Sequence, residues 1–199
     1  MFIPIEVLAQ TTKMAVEVIM EDAFWKELKN RPGFDWLIEA RRYLHAAEIL
    51  RASAEYRRGV IMTPPLHLLA HGTELLLKAN LITADPTATD VRSFGHDIWK
   101  LWNDIRSAQL RVDLLKAADE EWEAAKMSEE WQGAFNEDSG VLFKEYLKRL
   151  SELHTKEIDY ALRYVRPEET EAPKPHMLGP AMYRVADQYV RAMAQARRL

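Results

Sequence analysis

The chain has 199 residues, 48% of them hydrophobic and 29% charged, with 7 Gly and 9 Pro; this belongs to a globular domain and excludes disordered, collagen-like and low-complexity classes. It has no Cys, which excludes disulfides, zinc ribbons, iron–sulfur ligation and a cysteine nucleophile. The net charge of -4 offers nucleic acid and anionic lipid no overall attraction, so such a partner would need a local basic patch.

Almost every segment carries helical rather than strand periodicity, and the fold expected is all-α, an up-and-down helical bundle of about six to seven helices. A first helix is expected over 5–29, ended by Asn30-Arg31-Pro32-Gly33. A second runs over 34–58, with Leu37, Ala40, Leu44 and Ala47 on one face and Gly59 as its stop. Pro64-Pro65 opens a third helix reaching 82, because proline is tolerated in a first turn. Residues 83–95 form a loop rich in Thr, Asp and Pro, after which Asp97 suits the positive end of a fourth helix carrying Ile98, Leu101, Trp102 and Ile105.

Leu115, Ala118, Trp122 and Ala125 mark a fifth helix, leading into an acidic stretch that spans 119–138 and reads as a solvated face. Ser139 is placed to cap a sixth helix through 165, with Phe143, Leu147, Leu150, Ile158 and Ala161 in line. Residues 166–180 are rich in Pro and Glu and read as a loop before a docked final helix over 181–197. Nothing divides residues 1–199 into two cores, and no repeat of solenoid period occurs. No basic-then-apolar leader and no run of ~20 apolar residues is present, so a cytoplasmic protein without a membrane partner is expected.

The third helix is apolar almost all round, but its strongly polar residues fall at His67, His71, Glu74 and Lys78. At about 100° per residue these lie within roughly 60° of one another, as one seam. The seam can face solvent with Glu74 paired to Lys78, or face a cleft or subunit interface. His67 and His71 with Glu74 also form an alternative site for a metal or small molecule, although the zincin order His-Glu-x-x-His is absent.

The segment 68–79, Leu-Leu-Ala-His-Gly-Thr-Glu-Leu-Leu-Leu-Lys-Ala, resembles the central helix of HEPN-domain proteins. Gly95-His96-Asp97 before the next helix is similar to the His-Asp pair often found there, and Tyr160-Ala161-Leu162-Arg163-Tyr164 to an Arg-Tyr ending of some relatives. The resemblance covers 60–105 and, more weakly, 139–165. It implies a helical bundle that dimerises, with the central helices near the dimer cleft. It also implies either a binding module or a metal-independent ribonuclease with an Arg-x4-6-His motif, and no cofactor.

Arg149 and His154 are the Arg–His pair at that spacing. His154 could serve as general acid/base for a 2′-hydroxyl and Arg149 could neutralise phosphorane charge. On a helical wheel, however, they stand about 140° apart, His154 on the apolar stripe and Arg149 towards the polar face. His71, Glu74, Lys78, His96, Asp97 and Arg163 form the candidate ligand cluster, and Asp97 alternatively favours the helix start. The expected function is thus a HEPN-like interaction module, a homodimer in the family's manner, in an RNA-related or defence setting. RNA or a protein is the expected partner and DNA is not. An endoribonuclease using Arg149 and His154 is the alternative. No P-loop, Gly-x-Gly-x-x-Gly, Gly-x-Ser-x-Gly or Glu-x-x-His pattern supports another enzyme class. Trp99 and Trp102, at i,i+3, read as core rather than as a base-stacking platform.

Overall fold

In the computed structural model, the residues described are 27–127, 137–155, 162, 172–173 and 175–195. Their regular structure is helical throughout, and the helices pack as an all-α bundle. The α-helices, numbered among these residues, are α1 (Phe34–Arg51), α2 (Ala54–Arg57), α3 (Thr63–Ala84), α4 (Ile98–Asn103), α5 (Ala108–Lys126), α6 (Ser139–His154) and α7 (Pro175–Gln195). Two 3₁₀ turns, Asp90–Phe94 and Ile105–Ser107, bracket α4. Among the described residues no helix is long and apolar enough to cross a membrane.

The apolar circumference of α3 is explained by its surroundings. It packs along α1 and also touches α4, α6 and α7, so it has a neighbour on most sides. The α1–α3 pair is the most extensive among the described residues, and two glycines permit it. A Cβ on Gly72 would lie 2.7 Å from Leu44 Cγ, and Gly33 sits against the Ala79 carbonyl at φ 78°. Leu37, Leu44, Leu69, Leu76, Leu77, Leu101, Phe143, Leu147, Leu150, Met182 and Val185 belong to one continuous core. Trp102 and Trp122 are buried in it, while Trp36 and Trp99 pack against it half-buried. Trp25 and Trp131 lie outside the described residues.

Several expected boundaries moved for identifiable reasons. The second expected helix breaks after Arg51 because Ser53 Oγ donates to the Leu50 carbonyl and accepts from Tyr56 N, starting α2 anew. Asp138, not Ser139, caps α6: its carboxylate accepts from Val141 N, while Ser139 donates sideways to Asp119. That helix ends at His154, where Thr155 turns extended, rather than running to 165. Residues 156–161 and 163–171, Arg163 among them, lie outside the described residues, as does nearly all of the first expected helix. The last helix starts at Pro175, six residues early, and carries Pro180 in its interior. An interior proline costs about 3 kcal/mol, and here His176, Met177, Leu178, Gly179, Ala181 and Met182 are all buried around it, which offsets that cost.

The acidic stretch is not simply solvated. Arg184 of α7 is ion-paired to both Glu120 and Glu121, locking α5 to α7. In the stretch expected as the second helix, 34–58, Arg41, Arg42, Arg51 and Arg58 pair with Asp187, Glu39, Glu48 and Glu55 respectively. That positive charge is largely neutralised locally.

Candidate functional site

The polar seam of α3 faces inward, and Glu74 is its centre. The carboxylate is 4% exposed, the sole fully buried one among the described residues. Burying it unpaired would be costly. Lys78, one turn on, donates from Nζ to Oε1 at 2.6 Å. The other oxygen, Oε2, lies 3.0 Å from His96 Nδ1 and 2.8 Å from His154 Nε2. His71 Nδ1 stands 4.0 Å from the same oxygen.

Burial works most strongly against ionisation of Glu74. The hydrogen bonds from His154, Lys78 and His96, with the Lys78 charge, together outweigh it and hold the carboxyl well below the ordinary carboxylate range. Since the carboxylate is ionised, both facing imidazole nitrogens carry protons and donate. The far nitrogen of His154, Nδ1, is buried without a hydrogen-bond partner among the described residues.

Three elements deliver these groups. Glu74, Lys78 and His71 come from successive turns of α3. His154 comes from the last turn of α6, on the apolar stripe where its helical phase places it. His96 comes from the connection into α4. Arg106 holds that connection in place by a two-pronged bond to Asp90 and another to Asp104. Gly95 then turns at φ 56°, a conformation costly to residues with a Cβ, and aims its carbonyl at Lys78 Nζ, 2.7 Å away.

Four of the six histidines gather here, since the His67 ring lies 6.3 Å from that of His154. The His71 and His96 rings lie 6.5 Å and 5.4 Å from it. The cluster is graded from inside to outside: the His154 side chain is 0% exposed, His71 30% and His96 37%. His71 also meets the Tyr43 ring edge-on at 4.5 Å. It opens on a shallow groove of ≈ 330 Å³ lined by Asp35, Trp36, Glu39, Tyr43, His71 and Leu75.

Of the candidate ligand cluster, the structure unites His71, Glu74, Lys78 and His96. Asp97 belongs elsewhere. Its carboxylate accepts from Lys100 N to cap α4 and from Ser151 Oγ of α6, and Ser151 in turn accepts from Trp99 N. Arg149 and His154 take different partners: the half-exposed Arg149 bonds Glu145 at 2.5 Å, while His154 reaches Glu74. Sequence reasoning did not connect His154 to Glu74, nor find Ser151. The signal for the first was present, since a histidine on an apolar stripe requires a buried acceptor. None existed for Ser151.

His71, Glu74 and His154 also form a set of potential metal donors, with one atom from each all within 4.8 Å of one another. This differs from the set of His67, His71 and Glu74 expected from helical spacing, because α6 supplies the third donor. Comparison with protein-family models, curated proteins and solved structures found no match to this chain.

Proposed function

We propose that the chain is a HEPN-like interaction module that works as a homodimer in an RNA-related or defence setting and does not cleave RNA alone. The observation that carries this reading is the placement of His154. A general acid/base for RNA must reach a 2′-hydroxyl, whereas this imidazole is enclosed and bonded to Glu74. Arg149, the group that would neutralise phosphorane charge, bonds Glu145 instead. The pairing of Arg41, Arg42, Arg51 and Arg58 with nearby carboxylates further weakens any stripe for tracking a phosphate backbone. The binding reading therefore asks for contacts through the bundle surface, with the Glu74 cluster fixing α3, α4 and α6 relative to one another.

The test incubates the purified chain with mixed labelled RNAs, with and without EDTA, beside Arg149→Ala and His154→Ala. No cleavage by the parent chain supports the module. EDTA-resistant cleavage that disappears in Arg149→Ala, a half-exposed position whose loss the fold should tolerate, overturns it in favour of the ribonuclease. Light scattering on the same preparation is expected to give the mass of a dimer.

A further inference from the structure

We infer that His71, Glu74 and His154, with His96 beside them, form a binding site for a divalent transition ion of the zinc and cobalt class. The donor chemistry selects the ion. Imidazole nitrogens with a single carboxylate suit zinc, cobalt, nickel or copper, whereas magnesium and calcium require mostly oxygen. Two or three histidines with one glutamate is a donor set found in zinc sites.

The geometry is close to what such an ion needs. Bonds of about 2.0–2.2 Å in a tetrahedral site put donor atoms roughly 3.3 Å apart. Around Glu74 Oε2 the nitrogens of His154, His96 and His71 stand at 2.8, 3.0 and 4.0 Å. His71, half-buried on the rim, would have to turn its nitrogen inward, since the donor atoms, one from each of His71, Glu74 and His154, lie within 4.8 Å of one another. Lys78 holds Oε1 and so orients Oε2 towards the histidines, as a supporting group around a metal centre does. An ion would take the place of the protons that His96 and His154 now donate to Oε2. For His154 the displaced proton moves to Nδ1, and this breaks no bond to another described residue, because Nδ1 has no such partner. Access is also provided. His71 lines a groove that Asp35 also lines, and a carboxylate there attracts a cation from solution. The opposing feature is Lys78, whose positive charge next to the carboxylate lowers the affinity for an ion without removing a donor.

The experiment titrates Co²⁺ into the tag-free, EDTA-stripped full chain and follows visible absorption, then adds Zn²⁺ to displace it. The expected result is saturation at one ion per chain, with bands of four- or five-coordinate cobalt bleached by zinc and binding that tightens from pH 6 to pH 8 as protons cease to compete for imidazole. His71→Ala, at a rim position, is expected to weaken binding by at least the roughly 10–100-fold that loss of a supporting group costs while keeping its helical circular dichroism. His45→Ala removes a histidine that stacks on Tyr183 and should leave binding unchanged. Absence of saturable absorption in the parent chain, or equal binding by folded His71→Ala, would overturn the site. Neither readout depends on RNA cleavage or on dimerisation.

Discussion

The Nε2 of His154 lies 2.8 Å from Oε2 of Glu74, joining residues separated by 80 positions in the chain. The bond ties the end of α6 to the middle of α3. It engages Nε2 of His154 in a buried hydrogen bond, and it helps keep the carboxylate ionised. The stability of the bundle and the chemistry open to it therefore depend on the same few atoms.

Lys78→Met should be among the most destabilising single changes in the chain. Both partners are nearly inaccessible, at 8% and 4% exposure. Removing one member of a buried pair can cost up to about 3–5 kcal/mol, and the His96 and His154 donors that Glu74 keeps reduce that figure. Urea unfolding is expected to show this loss and to show part of it recovered in the Glu74→Gln, Lys78→Met double variant. Additive losses would mean that the two residues do not act as a pair.

Acid should remove the contribution of Glu74 in a defined direction. Its folded carboxyl titrates below the ordinary range, and its unfolded value is about 4.3. The unfolded chain therefore takes up the proton first as pH falls. The stabilisation is complete well above pH 4.3 and is lost progressively below it. Unfolding of the parent chain and of Glu74→Gln, both with chelator present, should give free energies that differ most near neutrality, with the difference shrinking steadily as pH falls below about 4.3. A difference that grew on acidification would contradict the assignment.

Gly72→Ala tests the close crossing of α1 and α3. The new methyl would stand 2.7 Å from Leu44 Cγ and 3.1 Å from Leu44 N, so the helices must separate. Overpacking of this kind costs about 1–3 kcal/mol, against a gain in helix propensity of up to about 1 kcal/mol. A net fall in melting temperature is expected.

Asp97→Ala separates a capping role from a ligand role. Its carboxylate caps α4 and accepts from Ser151, so the change should cost about 1 kcal/mol. Cobalt binding should stay at the parent level. Loss of the metal signal in a folded Asp97→Ala chain would place this carboxylate in the cluster.

The local features of the fold were legible in the sequence. Leu37, Ala40, Leu44 and Ala47 are the buried face of α1 as their spacing requires, and Pro64-Pro65 stand in the first turn of α3. Asp97 is an N-cap. The failures occurred where distant contacts overrode local preference. Pro180 reads as a breaker, yet it lies within a helix whose neighbours are all buried. Ser139 reads as a cap, yet Asp119 of α5 draws its hydroxyl sideways and leaves capping to Asp138.

The same division runs through the site. The order of residues along α3 alone determined that His67, His71, Glu74 and Lys78 share one seam, and that Arg149 and His154 occupy different faces of their helix, because a regular helix converts spacing directly into angle. Only the tertiary structure decided that the seam faces inward, that His96 arrives 22 residues beyond Glu74, and that His154 arrives from 80 residues away. Those choices follow from how α3, α4 and α6 pack, and packing depends on the shapes of all the buried faces together. A buried carboxylate then fixes which side chains must meet it, since burying the charge without donors would cost more than the fold can spare.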